Sequence, residues 1–99
     1  MPLIYHITTA GEWAAAKEKG MYEAKSLQAE GFIHCSFDNQ VEGVLERYFA
    51  GKKDLVKLVI DPEKLTGKLL FDWSKSIADT FPHVYGPINT DAVIEVIRL

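Results

Sequence analysis

The chain has 99 residues, a formal net charge of −3, and eleven Lys and Arg against fourteen Asp and Glu. That length fits one domain over 1–99, and 47% apolar with 25% charged residues suits a modest core rather than a disordered chain. No cationic stripe is present, so general nucleic-acid binding is not expected, because gripping a phosphate backbone takes a local excess of Lys and Arg.

Leu3 to Ile7 is β-branched and aromatic and reads as a first strand. Alternation places Ile4, His6 and Thr8 on one face. Nothing at this end resembles a charged segment followed by a long apolar one, and no apolar run is long enough to cross a bilayer. The lone Cys35 allows no internal disulfide, which suits a reducing compartment. The expectation is a cytoplasmic protein with no membrane partner. Thr9-Ala10-Gly11-Glu12 matches a capping box, opening a helix from Glu12 to Lys19 that Gly20 stops. Met21 to Ala24 suggests a short edge strand. Ser26 is placed to cap one turn through Glu30, with Gly31 ending it. Phe32 to Ser36 reads as a strand with Phe32, His34 and Ser36 on one face.

Ser36 or Asp38 is placed to cap the clearest helix, whose Val41, Val44, Leu45, Tyr48 and Phe49 form one apolar stripe. Trp13, Tyr48 and Phe49 are expected in the core. Asp54 to Asp61 and Lys68 to Trp73 read as strands, Ser74 to Pro87 mainly as loop, and Ala92 to Leu99 as a final strand, central or buried on both faces. The order β-α-(short α)-β-α-β-β-loop-β implies an α+β domain with a mixed, mainly antiparallel sheet and two main helices.

The residues able to carry chemistry are polar groups on strand ends and on a stiff segment. These are His6 with Thr8, His34 with Ser36, and His83 with Tyr85 in Phe81-Pro82-His83-Val84-Tyr85-Gly86-Pro87. Each histidine is either a recognition group or a core residue with both ring nitrogens partnered. Ser36 is either a site residue or the helix cap, and Cys35 reads as a small buried hydrophobe. Three histidines have the nitrogens for a zinc site, but no HxH, HxxxH or CxxC spacing supports one, and no metal is expected. GxSxG, GxGxxG and P-loop patterns are absent.

Ile4-Tyr5-His6-Ile7-Thr8, Trp13, Tyr22, Ser26-Leu27, Glu30-Gly31-Phe32-Ile33-His34-Cys35-Ser36, Gln40-Val41, Asp54-Leu55-Val56 and Phe81 to Pro87 resemble, in order, the bacterial family called domain of unknown function 952. The resemblance implies a fold grouped with the ADP-ribosyltransferase-like folds, a split and mainly antiparallel sheet with a cleft for NAD. It places His6 near a ribose or phosphate and Ser36, beside His34, near the nicotinamide ribose. Breaking a nicotinamide–ribose bond builds positive charge that an anion stabilises. The late motif FPHVYGPI has no acid, so Asp72 or Glu30 is the candidate catalytic anion. The expectation is a nucleotide-like ligand, NAD or ADP-ribose-like, bound by His6, Thr8, His34, Ser36, His83 and Tyr85, with glycosidic or transferase chemistry. The rival is a non-catalytic module for another small metabolite or for a protein partner.

Overall fold

The computed structural model describes residues 2–99. Strand β1 (Ile4–Thr9) leads directly into helix α1 (Ala10–Lys19). The Thr9 hydroxyl accepts from the Glu12 N–H at 3.1 Å, and Gly20 closes the helix at φ 80°. The expected cap is therefore present. β2 (Met21–Tyr22) is the short strand suggested by the sequence, and α2 (Lys25–Glu30) ends at Gly31. Ser26 does not cap α2: Ala24 holds that position without a side-chain bond, and Ser26 lies inside the helix. β3 (Ile33–His34) follows, then a 3₁₀ turn (Asp38–Gln40) and α3 (Val41–Tyr48). That turn displaces the expected caps. Neither Ser36 nor Asp38 caps α3; Gln40 stands at the cap and bonds elsewhere. The described residues thus hold the two main helices expected, α1 and α3, and the short one between them.

The second half of the chain is β4 (Leu55–Ile60), β5 (Lys68–Ser74), β6 (Asp79–Tyr85), β7 (Ile88–Asn89) and β8 (Val93–Arg98). One antiparallel sheet has the order β1-β4-β8 and a second has β3-β6-β5, while β2 pairs with β7. The α+β, mainly antiparallel expectation is met. Two strand assignments needed correction. β8 is not central. It lies at an edge, with Ile94, Val96 and Leu99 exposed. Asp79 to Tyr85 is not loop but the middle strand of its sheet.

Pro82 explains why a proline-bearing segment sits there. In an antiparallel pair a residue's N–H and C=O point to the same neighbour. The Pro82 carbonyl accepts from the Cys35 N–H at 3.0 Å, so its missing N–H also faces β3. The β5–β6 side needs nothing from it, and seven pairs run unbroken from Lys68–Tyr85 to Ser74–Asp79. On the other side Pro82 has no N–H to return, so the β3–β6 ladder ends. β3 then crosses to β1: Tyr5 N–H donates to the Ser36 carbonyl at 2.8 Å, and Ser36 N–H to the Tyr5 carbonyl at 2.7 Å. This exchange joins the two three-stranded sheets.

The main core packs between the sheets and α1, with Ile4, Trp13, Ile33, Leu58, Ile60, Val84 and Ile88 buried. A second cluster sets Val41, Leu45 and Phe49 of the α3 region against Ile7 and Leu55. Tyr48, expected in the core, is 56% exposed because it sits on the flank of that stripe.

Gln40 ties α3 to the β5–β6 hairpin. Its Oε1 accepts from the Phe37 N–H at 2.9 Å, while its Nε2 donates to the Thr80 carbonyl at 2.8 Å and to Asp79 Oδ2 at 3.0 Å. The residue is buried, so removing its amide leaves those groups short of partners. Gln40→Ala is expected to cost about 2 kcal/mol in urea unfolding, within the usual range for losing buried hydrogen bonds. A loss under 0.5 kcal/mol would show that the tie is unimportant.

Candidate functional site

The site grows from two cross-strand rows. Ile33, Val84 and Leu69 lie side by side across β3, β6 and β5 and face the core. The next row, His34, His83 and Leu70, therefore faces outward. The His34 and His83 rings meet edge-on with centroids 5.1 Å apart. Phe32 stacks on the His83 ring at 4.1 Å and 17°, and lies 4.9 Å from the His34 ring. Phe32 was not singled out as a site residue, although alternation had put it on this face.

Each of these histidines is bonded to a carboxylate. His83 Nδ1 lies 2.8 Å from Asp72 Oδ2, and Tyr85 donates to the same oxygen at 2.5 Å. A carboxylate accepts, so His83 carries its proton on Nδ1 and leaves Nε2 free of this bond. The two donors, Tyr85 first, hold the Asp72 carboxyl below the usual carboxylate range, and the same bond raises Tyr85. His34 Nε2 lies 2.9 Å from Glu30 Oε2, with both side chains about half exposed.

His6 plays a different part. It is buried, with Nδ1 2.6 Å from the His34 carbonyl and Nε2 2.8 Å from the Tyr22 hydroxyl. The carbonyl can only accept, so Nδ1 bears the proton and Nε2 accepts from Tyr22. Burial lowers its pKa from 6.5 to about 4, against the opposing pull of the His34 carbonyl. Thr8 donates to Glu12 at 3.1 Å, and Thr9 donates to the same oxygen at 3.0 Å. Burial alone would raise Glu12, but the Thr9 and Thr8 hydroxyls outweigh it and the carboxyl is lowered.

A cleft of about 670 Å³ opens over the junction of β1 and β3. His6, Ser36, His34, His83 and Glu30 line it, so five of the eight candidates converge there. Thr8, Asp72 and Tyr85 are not among its lining residues: Thr8 turns to Glu12, while Asp72 and Tyr85 stand behind His83. One wall comes from α3 through Val44, Tyr48 and Phe49. The other comes from the hairpin through Trp73, Ser74, Ser76, Ile77 and Phe81. Tyr48 and Phe49 were read as core and the hairpin tip as loop, so both walls went unseen. The only signal was the width of the α3 stripe, more than one core needs. Cys35 also lines the cleft, but burial pushes its thiol up to about 12, which suppresses the nucleophilic thiolate. Among the described residues no group of three or more His, Cys, Asp or Glu is arranged to hold a metal ion. No helix among them is long and apolar enough to cross a membrane.

These features define a small α+β protein with a junction cleft of ligand size. The chain belongs to the family described as "Protein of unknown function (DUF952)", whose model matches residues 7–96. It is similar to protein CC0527 from Caulobacter crescentus. The X-ray structure of that protein is 35% identical, with a TM-score of 0.89 over 98% of this chain and 85% of that one. The solution NMR structure of CC0527 is 34% identical, with a TM-score of 0.79 over 100% of this chain and 85% of that one. No curated protein matches the chain.

The buried neutral His6 makes stability depend on pH. Its folded pKa of about 4 lies below the ordinary 6.5, so the unfolded chain binds the proton more readily. Stability is then complete above pH 6.5 and falls as the pH drops towards 4, by about 3 kcal/mol in all. Carboxylates with lowered pKa values lose their contribution only at lower pH. Urea midpoints measured from pH 7 to pH 4 are expected to fall in the wild type and stay flatter in His6→Gln. Equal slopes would remove His6 as the cause.

Proposed function

We propose that the junction cleft binds a nucleotide-like small molecule and recognises its nucleoside half. The observation that carries this reading is a cleft of about 670 Å³ with aromatic side chains on both walls and two carboxylate-bonded imidazoles on its floor. Ligand pockets run to roughly 300–1,000 Å³, and such walls suit a flat ring while the histidines and Ser36 suit ribose hydroxyls. No Lys or Arg stands among the described lining residues, and Arg47, Lys52 and Lys57 instead lie over the lining rings of Tyr48, Phe49 and Tyr5. NAD or an ADP-ribose-like ligand is therefore held by its ring and ribose, with the phosphates towards solvent.

The sheet arrangement supports kinship with ADP-ribosyltransferase-like folds. Two antiparallel sheets diverge from one strand junction, and the cleft lies over it. If turnover occurs, it is glycosidic. Of the two candidate anions, Glu30 lines the cleft and Asp72 does not.

The test is an NMR titration of the labelled chain with NAD, ADP-ribose and a divalent-metal control. Nucleotide is expected to move the signals of His34, Ser36 and His83 and to quench Trp73, which is 63% exposed at the cleft. His83→Ala should weaken binding about tenfold, roughly 1.4 kcal/mol for one lost recognition contact. Unmoved signals at millimolar nucleotide would sink the assignment and favour the rival, a module for another metabolite or for a protein partner.

A further inference from the structure

We infer that β5 pairs with β5 of a second copy of this chain, antiparallel and centred on Leu70. The pairing joins the three-stranded sheets of the two copies edge to edge. It carries the partner's Lys68 to the Asp72 carboxylate that His83 and Tyr85 share. It stands on the open edge of the sheet and goes beyond the reading of the cleft.

β5 is the outer strand of its sheet, with no neighbour on its far side among the described residues. All seven of its residues pair with β6 in one unbroken register. Phe71 lies opposite Pro82, whose main-chain groups face β3, so this pair exchanges no bond. The Phe71 N–H and C=O then point to the open edge, as do those of Leu69 and Trp73 two residues to either side. Leu70, Phe71 and Trp73 are also exposed. A long, regular, apolar edge is the form that recruits another strand.

Charge selects both the occupant and the register. Paired side chains share a face, so a two-fold antiparallel pair sets each residue opposite one an even number of positions away. Lys68 and Asp72 meet that condition. With the axis at Leu70, each copy's Lys68 stands opposite the partner's Asp72, giving two pairs of opposite charge. Leu70 meets the partner's Leu70. Leu69 and the partner's Phe71, both with free main-chain groups, exchange two hydrogen bonds, and the reciprocal pair does the same. Trp73 lies opposite the partner's Gly67, where an aromatic ring covers a residue without a side chain. An axis at Phe71 would set Lys68 opposite the partner's Ser74, and one at Asp72 would set two carboxylates face to face.

β8 is the other long edge with exposed apolar side chains, and it lacks these features. Its charges, Glu95 and Arg98, are an odd number of positions apart, so no two-fold register sets them opposite one another. A register shift at Val59 and Ile60 also interrupts its pairing with β4, and such irregularities turn an edge away from partners. At β5 the added cation bears on the site. The partner's Lys68 gives Asp72 a further partner besides His83 and Tyr85. The second copy thereby contributes a group to the support of a cleft imidazole.

The test is analytical ultracentrifugation of the full chain from about 10 µM to about 1 mM, a span suited to a modest interface. At the upper end the mass is expected to be that of two chains. Amide exchange should then slow at Leu69, Phe71 and Trp73 and stay unchanged at Leu70 and Asp72, whose N–H groups already face β6. Lys68→Glu and Asp72→Lys should each raise Kd by about tenfold or more, because each turns both charge pairs repulsive. An equimolar mixture of the two variants should return Kd to within a few-fold of the wild type, since every pair across the mixed interface is again opposite in charge. A merely structural effect of either substitution gives no such rescue. Phe71→Pro removes an outward N–H that β6 does not use and should leave a folded monomer. Dispersed amide spectra verify that each variant folds. A single-chain mass at about 1 mM would overturn the pairing. A dimer whose Kd is unmoved by Lys68→Glu, or one that protects Val96 in place of Phe71, would overturn β5 as the edge. A mixture without recovery would overturn the register.

Discussion

The molecule depends on the point where β3 changes partners. Tyr5 and Ser36 exchange two main-chain bonds of 2.8 and 2.7 Å, one residue after Cys35 makes its single bond to Pro82. Without that change of partners the strand would continue along β6, and the two sheets would not meet over a cleft. The fork is reinforced from beneath. His6 donates to the carbonyl of His34, the last residue paired with β6, and accepts from Tyr22, itself buried. A charged imidazole would have a donor on both nitrogens and could not accept from Tyr22. Neutral His6 is therefore part of the joint, and burial is what keeps it neutral. The lining of the cleft by His6 and its structural duty are two consequences of one position.

The carboxylates follow a second pattern. Glu12, Asp72 and Asp79 are all lowered, and hydrogen-bond donors do most of the lowering: hydroxyls for Glu12, a phenol and an imidazole for Asp72, an amide and a backbone N–H for Asp79. Lys and Arg are instead absent from the cleft lining among the described residues. Neutral donors stabilise a carboxylate without adding positive charge nearby. Glu30 is the one carboxylate that lines the cleft, while Arg47, Lys52 and Lys57 lie over the lining rings of Tyr48, Phe49 and Tyr5.

Much of the strand and helix content was legible because the sequence carries local signals for it: the Thr9 cap, the glycines after α1 and α2, and the β-branched run of β4. Alternation also placed His34 and Ser36 correctly, since facing direction along a strand is a local property. What escaped was tertiary. Pro82 and the following Gly86 and Pro87 read as loop, because nothing local says that the missing N–H of Pro82 falls on the side where a ladder ends. Ser36 read as a cap because a serine before a helix commonly is one, but the 3₁₀ turn from Asp38 intervenes. Tyr48 and Phe49 shared an apolar stripe, and periodicity cannot divide such a stripe between a core and a cleft wall. The separation of Asp72 from the cleft was equally out of reach, since it depends on the pairing of β5 with β6.

The segment from Phe81 to Gly86 shows why one short motif can be distinctive without containing an acid. Phe81 lines the cleft, Pro82 ends the ladder and His83 supplies the imidazole. Val84 is buried in the core, and Tyr85 anchors the carboxylate that orients His83. Gly86 adopts φ 152° where its chain passes Gly67, and a side chain at Gly67 would lie 3.4 Å from both the Pro87 carbonyl and Val84. Successive residues of one strand thus alternate between packing and site, and the two duties constrain each other. A change at Val84 would tilt the strand that aims His83, and a bulkier residue at Gly67 would press on the turn behind Tyr85. The carboxylate that His83 and Tyr85 share comes from the neighbouring strand, where pairing sets Asp72 opposite Phe81, two residues along from His83. Antiparallel pairing therefore brings together in space a hydrogen-bonded trio of Asp72, His83 and Tyr85 that the linear motif does not contain.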